Sequence, residues 1–331
     1  MIELPLFKDE GWYLKQVENL FVDNRIKDKT KIETNYNQKM AEIISTLEEV
    51  ICDEDFSCND SHRNLFEKLI LAPFKELEYI HNKICANADD IFYETIIDAD
   101  GNEKQSLKKK WESIYGLYDK LIRKSINTEL VKKYELSSCP YCNENYIFNR
   151  KKAKGKTYAM AQLDHFYPRD EFPIFAVSLY NLVPSCSTCN HMKTTEEIGV
   201  SPHDHSYDFS NMRITYTPCT GNWIENSNDI RLDFVYKNDE YKAKMELNLE
   251  ILGIKYSYSM HTDYVQEILK KAQIYGPEMR NSLMTQFPDL FSSEEELLRI
   301  IFGNYIDIKD TLKRPLAKLT QDLLEELGII K

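Results

Sequence analysis

Two C-x-x-C pairs, Cys139-Pro-Tyr-Cys142 and Cys186-Ser-Thr-Cys189, are separated by the 43 residues 143–185. Each pair can close a tight knuckle that aims two thiolates at one point. Cys139, Cys142, Cys186 and Cys189 together then make a tetrahedral Cys₄ site for structural zinc. A closed four-sulfur site forces the two ends of the span to meet, whatever lies between them. The separation exceeds the usual ribbon spacing, so a folded insert must fill it. The bland alternative is four unrelated buried cysteines.

The insert has a readable pattern. Tyr146-Ile-Phe148 is β-prone, Arg150 to Lys156 is a polar turn, and Thr157–Leu163 returns as a second strand ending at Asp164-His165. Ser187–Lys193 contains no Gly or Pro and opens a helix. Hairpin followed by helix, pinned at both ends by zinc, needs little hydrophobic core of its own.

Asp164 and His165 carry the candidate chemistry. Phosphodiester hydrolysis needs an activated water and a countercharge for the transition state. A neutral imidazole near its ordinary pKa of about 6.5 can deprotonate water at physiological pH. A hard divalent ion held by a carboxylate and an amide oxygen, Mg²⁺ or Mn²⁺, can clamp the scissile phosphate. Neighbours on a regular strand point to opposite faces, so a bulge or a strand end must aim both residues at one substrate. Lys193, three positions after Asn190, shares its helical face and is a candidate phosphate contact. Arg150, Lys152 and Lys156 in the polar turn are further substrate-binding candidates.

Asp164-His165, Asn181 and Asn190 in this order, flanked by the two C-x-x-C pairs, resemble the HNH (ββα-metal) endonucleases. The string D-H-F-Y-P-R-x-x-F-P-x-F-A-x-S-L-Y-N-L-V-P-S-C-x-x-C-N is most similar to the nuclease subunits of Septu-type phage-defence systems. The resemblance spans residues 139–193. It implies that Asp164 binds a catalytic divalent ion and His165 is the general base. Asn181 would hold the active-site loop or the base in orientation, and Asn190 would be the second metal ligand. The eponymous last His is replaced: Asn190 follows Cys189 and His191 comes one later, which leaves His191 as the alternative ligand. The biological setting implied is antiphage defence beside an ATPase partner subunit. A stand-alone restriction-type HNH nuclease and a catalytically silent zinc-ribbon adaptor remain the alternatives. The substrate class is nucleic acid, DNA ahead of RNA.

The remaining sequence is acidic. The chain has 331 residues and a formal net charge of −12, yet residues 139–195 contain seven Lys or Arg against four Asp or Glu. A mildly basic module in acidic surroundings points to a partner that delivers the substrate or completes its groove. No apolar run approaches about 18 residues, and the first residues lack a charged and apolar leader pattern, which predicts a cytoplasmic chain with no membrane span.

The fold class expected is α+β: a mostly helical protein with an embedded zinc-stabilised ββα-metal module and a small β-hairpin region after it. The expected divisions are a helical region 1–135, the module 136–200, a hairpin region 201–255 and a helical region 256–331. Met40, Ile43, Ile44, Leu47, Val50 and Ile51 form one helical stripe, and Trp111, Ile114, Tyr115, Tyr118, Leu121 and Ile122 another. Asp98–Asn102 reads as a turn; the later ligands of a calcium loop are missing. Ile230–Tyr236 and Tyr241–Leu249 both alternate and predict a hairpin, joined by Ile214-Thr-Tyr216. His203 and His205 have metal-ligand types at i and i+2, with a solvated loop as the favoured reading. Cys52, Cys58, Cys85 and Cys219 match no metal spacing and read as free thiols. Ser293–Glu296 predicts a capping box, and Gly328 a helix stop.

Overall fold

The computed structural model describes residues 1–21, 62–86, 90–153, 155 and 157–330, with single positions between 38 and 50. Helix α1 (Glu10–Phe21) buries Tyr13, Val17, Leu20 and Phe21 on one stripe. Of the stripe expected around 40–51, Ile43 is helical and buried, while Met40, Ile44, Leu47 and Ile51 lie outside the described residues, as do Cys52 and Cys58. Helix α2 (His62–Leu71) and helix α3 (Phe74–Ala86) are separated by Pro73, which cannot continue a helix.

The region up to 135 is not wholly helical. Strand β1 (Tyr93–Ile97) pairs antiparallel with β2 (Glu103–Leu107), Tyr93 opposite Leu107. Both strands are largely exposed, so no apolar alternation marked them. Asp98 forms the turn: its Oδ1 accepts from the N–H groups of Asp100 and Asn102, each at 2.9 Å. The stripe from Trp111 is two short helices, α4 (Glu112–Tyr115) and α5 (Leu117–Arg123), joined at Gly116. Trp111, Ile114, Leu117 and Leu121 are buried, whereas Ile122 is exposed. Helix α6 (Ile126–Lys133) completes this part.

In the module, the expected strand pairing is wrong in detail. Strand β3 (Arg150–Lys151) pairs with β4 (Thr157–Tyr158), and strand β5 (Gln162–His165) pairs instead with β6 (Leu182–Ser185), Asp164 opposite Val183. Helix α7 (Ser187–Lys193) follows at once. Tyr146 and Ile147 are used elsewhere: Tyr146 bridges Ser138, and the Ile147 N–H bonds Ser137 O at 2.9 Å. With residues 146–148 closing the knuckle, β5 is left to the only other extended run beside it.

The loop 166–181 between β5 and β6 is a hydrophobic plug. Phe166, Tyr167, Phe172, Ile174, Phe175, Val177 and Leu179 are all buried. The N-terminal helices close over it. Phe74 stands edge-on to Phe166 at 5.1 Å, His81 stacks on Tyr167 at 4.1 Å, and the Tyr13 hydroxyl donates to Val177 O at 2.9 Å.

Beyond the module, strand β7 (Met212–Pro218) pairs along its length with β8 (Ile230–Tyr236). The second expected strand is a helix, α8 (Lys242–Ile251). Its Lys, Ala, Met, Glu and Leu residues are strong helix formers. Met245, Asn248 and Leu249 form the buried face, and Leu247 stays exposed. Helices α9 (Ile254–Tyr258), α10 (Thr262–Ile274), α11 (Pro277–Gln286), α12 (Glu294–Phe302) and α13 (Ala317–Glu326) complete the described chain. Ser293 caps α12 by accepting from the Glu296 N–H, while the Glu296 carboxylate reaches back to Ser292. Helix α13 ends before Gly328, whose φ of +66° is left-handed. The outcome is α+β: helices with small two-stranded sheets.

Helix α8 docks against Gly199 at a very short approach. A Cβ at Gly199 would lie 2.7 Å from Lys244 Cα, and Asn248 bonds the backbone of Gly199 and Val200 from the same helix. Gly199→Ala is expected to destabilise the protein by about 1–3 kcal/mol through this overpacking. Gly11→Ala, where nothing lies within 4 Å, is expected to be neutral or slightly stabilising. Thermal unfolding of the two variants checks the contrast.

Candidate functional site

The four cysteines meet. Their sulfurs lie within 4.8 Å of one another, all buried, and Cys142 Sγ is 4.0 Å from Cys186 Sγ. Tetrahedral zinc at about 2.3 Å from each sulfur would separate the sulfurs by about 3.8 Å. The first knuckle is closed by the Asn145 carbonyl accepting from Cys139 N–H at 2.9 Å. Asn143 takes the left-handed turn at φ +54°, a conformation that Asn tolerates. Cys186 is the N-cap of α7, its sulfur accepting from Cys189 N–H at 3.4 Å. Backbone N–H groups of Glu144 and Cys186 point at Cys142 and Cys139 sulfurs, each at 3.3 Å. Such donors stabilise thiolates around a metal. Burial by itself pushes the Cys139 thiol up, so sulfurs packed this closely call for a cation such as zinc to hold them as thiolates.

Beside this cluster, a cleft of about 560 Å³ is lined by Gln162, Asp164 and His165 of β5, by Asn190 and His191 of α7, and by Tyr118 and Arg169. No bulge is needed to bring Asp164 and His165 together. His165 is the last residue of β5, and the chain turns away with the Phe166 N–H bonded to Asn181 O. His165 Nε2 is 2.9 Å from Ala176 O. A carbonyl only accepts, so Nε2 carries the hydrogen and Nδ1 holds the lone pair. Burial lowers the pKa of His165 to about 4, partly countered by that carbonyl. Its ring meets Tyr118 edge-on at 4.4 Å, and the Tyr118 hydroxyl is fastened to Leu163 O at 2.9 Å.

Asp164 is buried. Oδ2 accepts from the Tyr141 hydroxyl at 2.7 Å, and Oδ1 lies 3.6 Å from Lys193 Nζ. Burial raises its pKa to about 6, against the lowering pull of Lys193 and Tyr141. The Lys193 contact is too long for a direct hydrogen bond, so Oδ1 keeps a lone pair towards the cleft. A buried carboxylate with an open oxygen fits a cation. Asn190 Nδ2 donates to Gln162 Oε1 at 2.7 Å, which orients its amide. Asn181 does not line the cleft. Its Oδ1 accepts from Tyr167 N–H at 2.8 Å, and its Nδ2 donates to the carbonyls of Tyr167 and Phe175. It therefore ties the two ends of the loop that carries Ala176.

Some expectations need correction. Lys193 is fully buried, donates to His165 O at 2.7 Å and lies 3.6 Å from Asp164; it is an internal counter-ion and no phosphate contact, because its ammonium is closed off from solvent. Arg150 and Lys152 are exposed on the β3–β4 hairpin, outside the cleft lining but still available to substrate beyond it, and Lys156 lies outside the described residues. His203 is not in a solvated loop: it is buried, with Nε2 3.1 Å from Leu182 O. His205 turns the other way, to Glu3 at 2.6 Å, so the pair does not converge on a metal. Cys85 and Cys219 are free and exposed.

Sequence reasoning missed Tyr118, Arg169, Tyr141 and Gln162. Tyr118 falls on the apolar stripe that starts at Trp111, although its hydroxyl requires a partner when buried. The Arg169 guanidinium lies 4.3 Å from the Tyr115 ring centre and 5.0 Å from that of Tyr118, and pairs with Asp119 at 3.2 Å. Tyr141 lies inside C-P-Y-C, and that position was the available signal.

No family model, no curated protein and no solved structure matches the chain. Among the described residues, no helix is long and apolar enough to cross a membrane.

The cysteine cluster is expected to hold one tightly bound metal ion. Cys142→Ser is expected to release it and lower the unfolding temperature, and elemental analysis with thermal unfolding checks both. The two buried histidines give a second test. Burial also lowers the pKa of His203 to about 4. Between the ordinary value of about 6.5 and about 4 the unfolded chain binds protons that these folded histidines refuse, so both lower stability on acidification. Imidazole ¹⁵N spectra at about pH 5 are expected to show His165 and His203 still neutral, with His165→Ala assigning one of the signals.

Proposed function

We propose that this protein is a metal-dependent endonuclease of the HNH (ββα-metal) type, with a structural zinc on Cys139, Cys142, Cys186 and Cys189. The carrying observation is the placement of His165: an imidazole with Nε2 at 2.9 Å from Ala176 O, in the same cleft as Asp164 and Asn190.

His165 acts as the general base. Its Nδ1 takes the proton of a water, and the fixed Nε2–H bond keeps the ring from turning away. Tyr118 holds the ring from the other side. Asp164 and the Asn190 amide oxygen, with His191 as the alternative, would hold a Mg²⁺ or Mn²⁺ ion. When bound, that ion supplies the positive charge that stabilises the phosphoryl transition state. Arg169, stacked on Tyr115 and Tyr118, is placed at the cleft rim to pair with a substrate phosphate. Asn181 positions the loop rather than touching substrate.

The nuclease works as part of a phage-defence assembly with an ATPase subunit, by its likeness to Septu-type systems. The net charge of −12 supports dependence on a partner, because an acidic chain meets a polyanion poorly alone. The protein acts in the cytoplasm, on DNA ahead of RNA.

In complex with the ATPase partner, His165→Ala is expected to lower cleavage by about 10²-fold or more while retaining the fold and zinc. Asn190→Ala is expected to abolish cleavage in Mg²⁺, and His191→Ala to retain most of it. Metal-dependent cleavage assays on DNA and RNA read all three. Unchanged cleavage in His165→Ala overturns the mechanism and favours a silent zinc adaptor.

A further inference from the structure

The β3–β4 hairpin stands outside the cleft and has no part in the chemistry above. Residues 146–160 contain five Lys or Arg and no acid, in a chain whose net charge is −12. Arg150, Lys151 and Lys152 are exposed. On the same segment Tyr146 and Phe148 leave 53% and 43% of their surfaces in solvent, their ring centres 5.2 Å apart and tilted by 59°. Met160 is exposed as well. Two large rings left half in solvent by a folded chain are costly to display, and here they are held in place. Ile147 between them is fully buried, and its N–H is bonded to Ser137 O. Asn149 donates to Thr128 O at 2.8 Å, which fixes the strand leaving them. The rings therefore project from a braced strut beside the zinc knuckle.

We propose that Tyr146 and Phe148, with Arg150, Lys151 and Lys152, form a stacking platform for single-stranded nucleic acid that feeds the cleft. The assignment rests on the nuclease reading and names its substrate class. A duplex offers phosphates and base edges, so it satisfies the cations but leaves two exposed rings without a partner. Unpaired bases offer faces that stack on aromatic rings, while the basic side chains follow the phosphates. Tyr158 closes the hairpin under Lys152, whose Nζ lies 5.0 Å from its ring centre. From Tyr158 the chain reaches Gln162, on the cleft wall, within at most about 14 Å of extended backbone. The platform and the cleft wall are thus joined by a short run of this same chain.

The test uses full-length His165→Ala protein, so that bound strands stay intact. Fluorescence anisotropy compares a labelled oligothymidylate with a duplex of equal length over a salt titration. Tighter binding of the single strand is expected. Adding Tyr146→Ala and Phe148→Ala is expected to weaken it about ten-fold or more, with the salt dependence kept. Replacing Arg150, Lys151 and Lys152 by Ala is expected to flatten the salt dependence instead. Preference for the duplex, or no binding at low salt, overturns the proposal. So does an unchanged single-strand affinity without the rings, which would assign them to a protein contact. Failure of the nuclease reading looks different: the strand binds through the rings, yet wild-type protein with its partner cleaves nothing.

Discussion

Four buried sulfurs within 4.8 Å of one another, a cluster that could hold one metal ion, are the constraint around which the rest of the protein is arranged. The knuckle 139–145 is a tight loop, and its backbone polar groups are taken out of water, so each needs a partner. Distant segments supply them. Ile2 N–H bonds Pro140 O at 2.8 Å, the Tyr258 hydroxyl bonds Cys142 O at 2.6 Å, and Glu144 receives Ser257 and His261. Asn143 is enclosed by the carbonyls of Thr311 and Arg314 and by the N–H of Lys318. The first residues, α9 and the segment before α13 therefore meet on one loop. A small cysteine-rich turn serves as the docking point for both ends of the described chain.

The same loop reaches Asp164 from behind the cleft wall. Tyr141, between the first two cysteines, holds one oxygen of Asp164, and Lys193, at the end of the helix capped by Cys186, faces the other. A lone buried carboxylate is costly, and an ammonium at 3.6 Å offsets that only in part. Asp164 is thus left with charge to share and an oxygen towards the cleft. His165 is in the opposite state. Burial lowers its pKa, and the positive charges of Arg169 and Lys193 add to that. One carboxylate and one imidazole, adjacent in sequence, are set to different tasks by what surrounds each.

The sequence was most readable where chemistry demands a fixed spacing. The two C-x-x-C pairs, the helix from Ser187 to Lys193 and the Asp164-His165 pair at a strand end all stand where their spacing implied. It was least readable where neighbours choose between equal local options. Tyr241–Leu249 alternates like a strand, yet its residues are good helix formers, and the buried spacing Met245–Leu249 fits the groove beside Gly199. Strand β5 could pair with either side of the insert; the closing of the knuckle removed one side.

What the sequence by itself determined is a set of bonds: which sulfurs must meet, which imidazole and carboxylate stand together, and which segment is basic within an acidic chain. These follow from covalent spacing and residue type, which no packing alters. Only the tertiary structure decided direction. Lys193 points inward because the His165 carbonyl and the Asp164 carboxylate receive its ammonium where no solvent reaches it. Tyr118, on a helix, reaches the cleft from more than forty residues before β5, and Arg169, although close to His165 in sequence, is oriented by stacking on that remote Tyr118. Burial and orientation are properties of neighbours, and neighbours so remote in sequence carry no local signal.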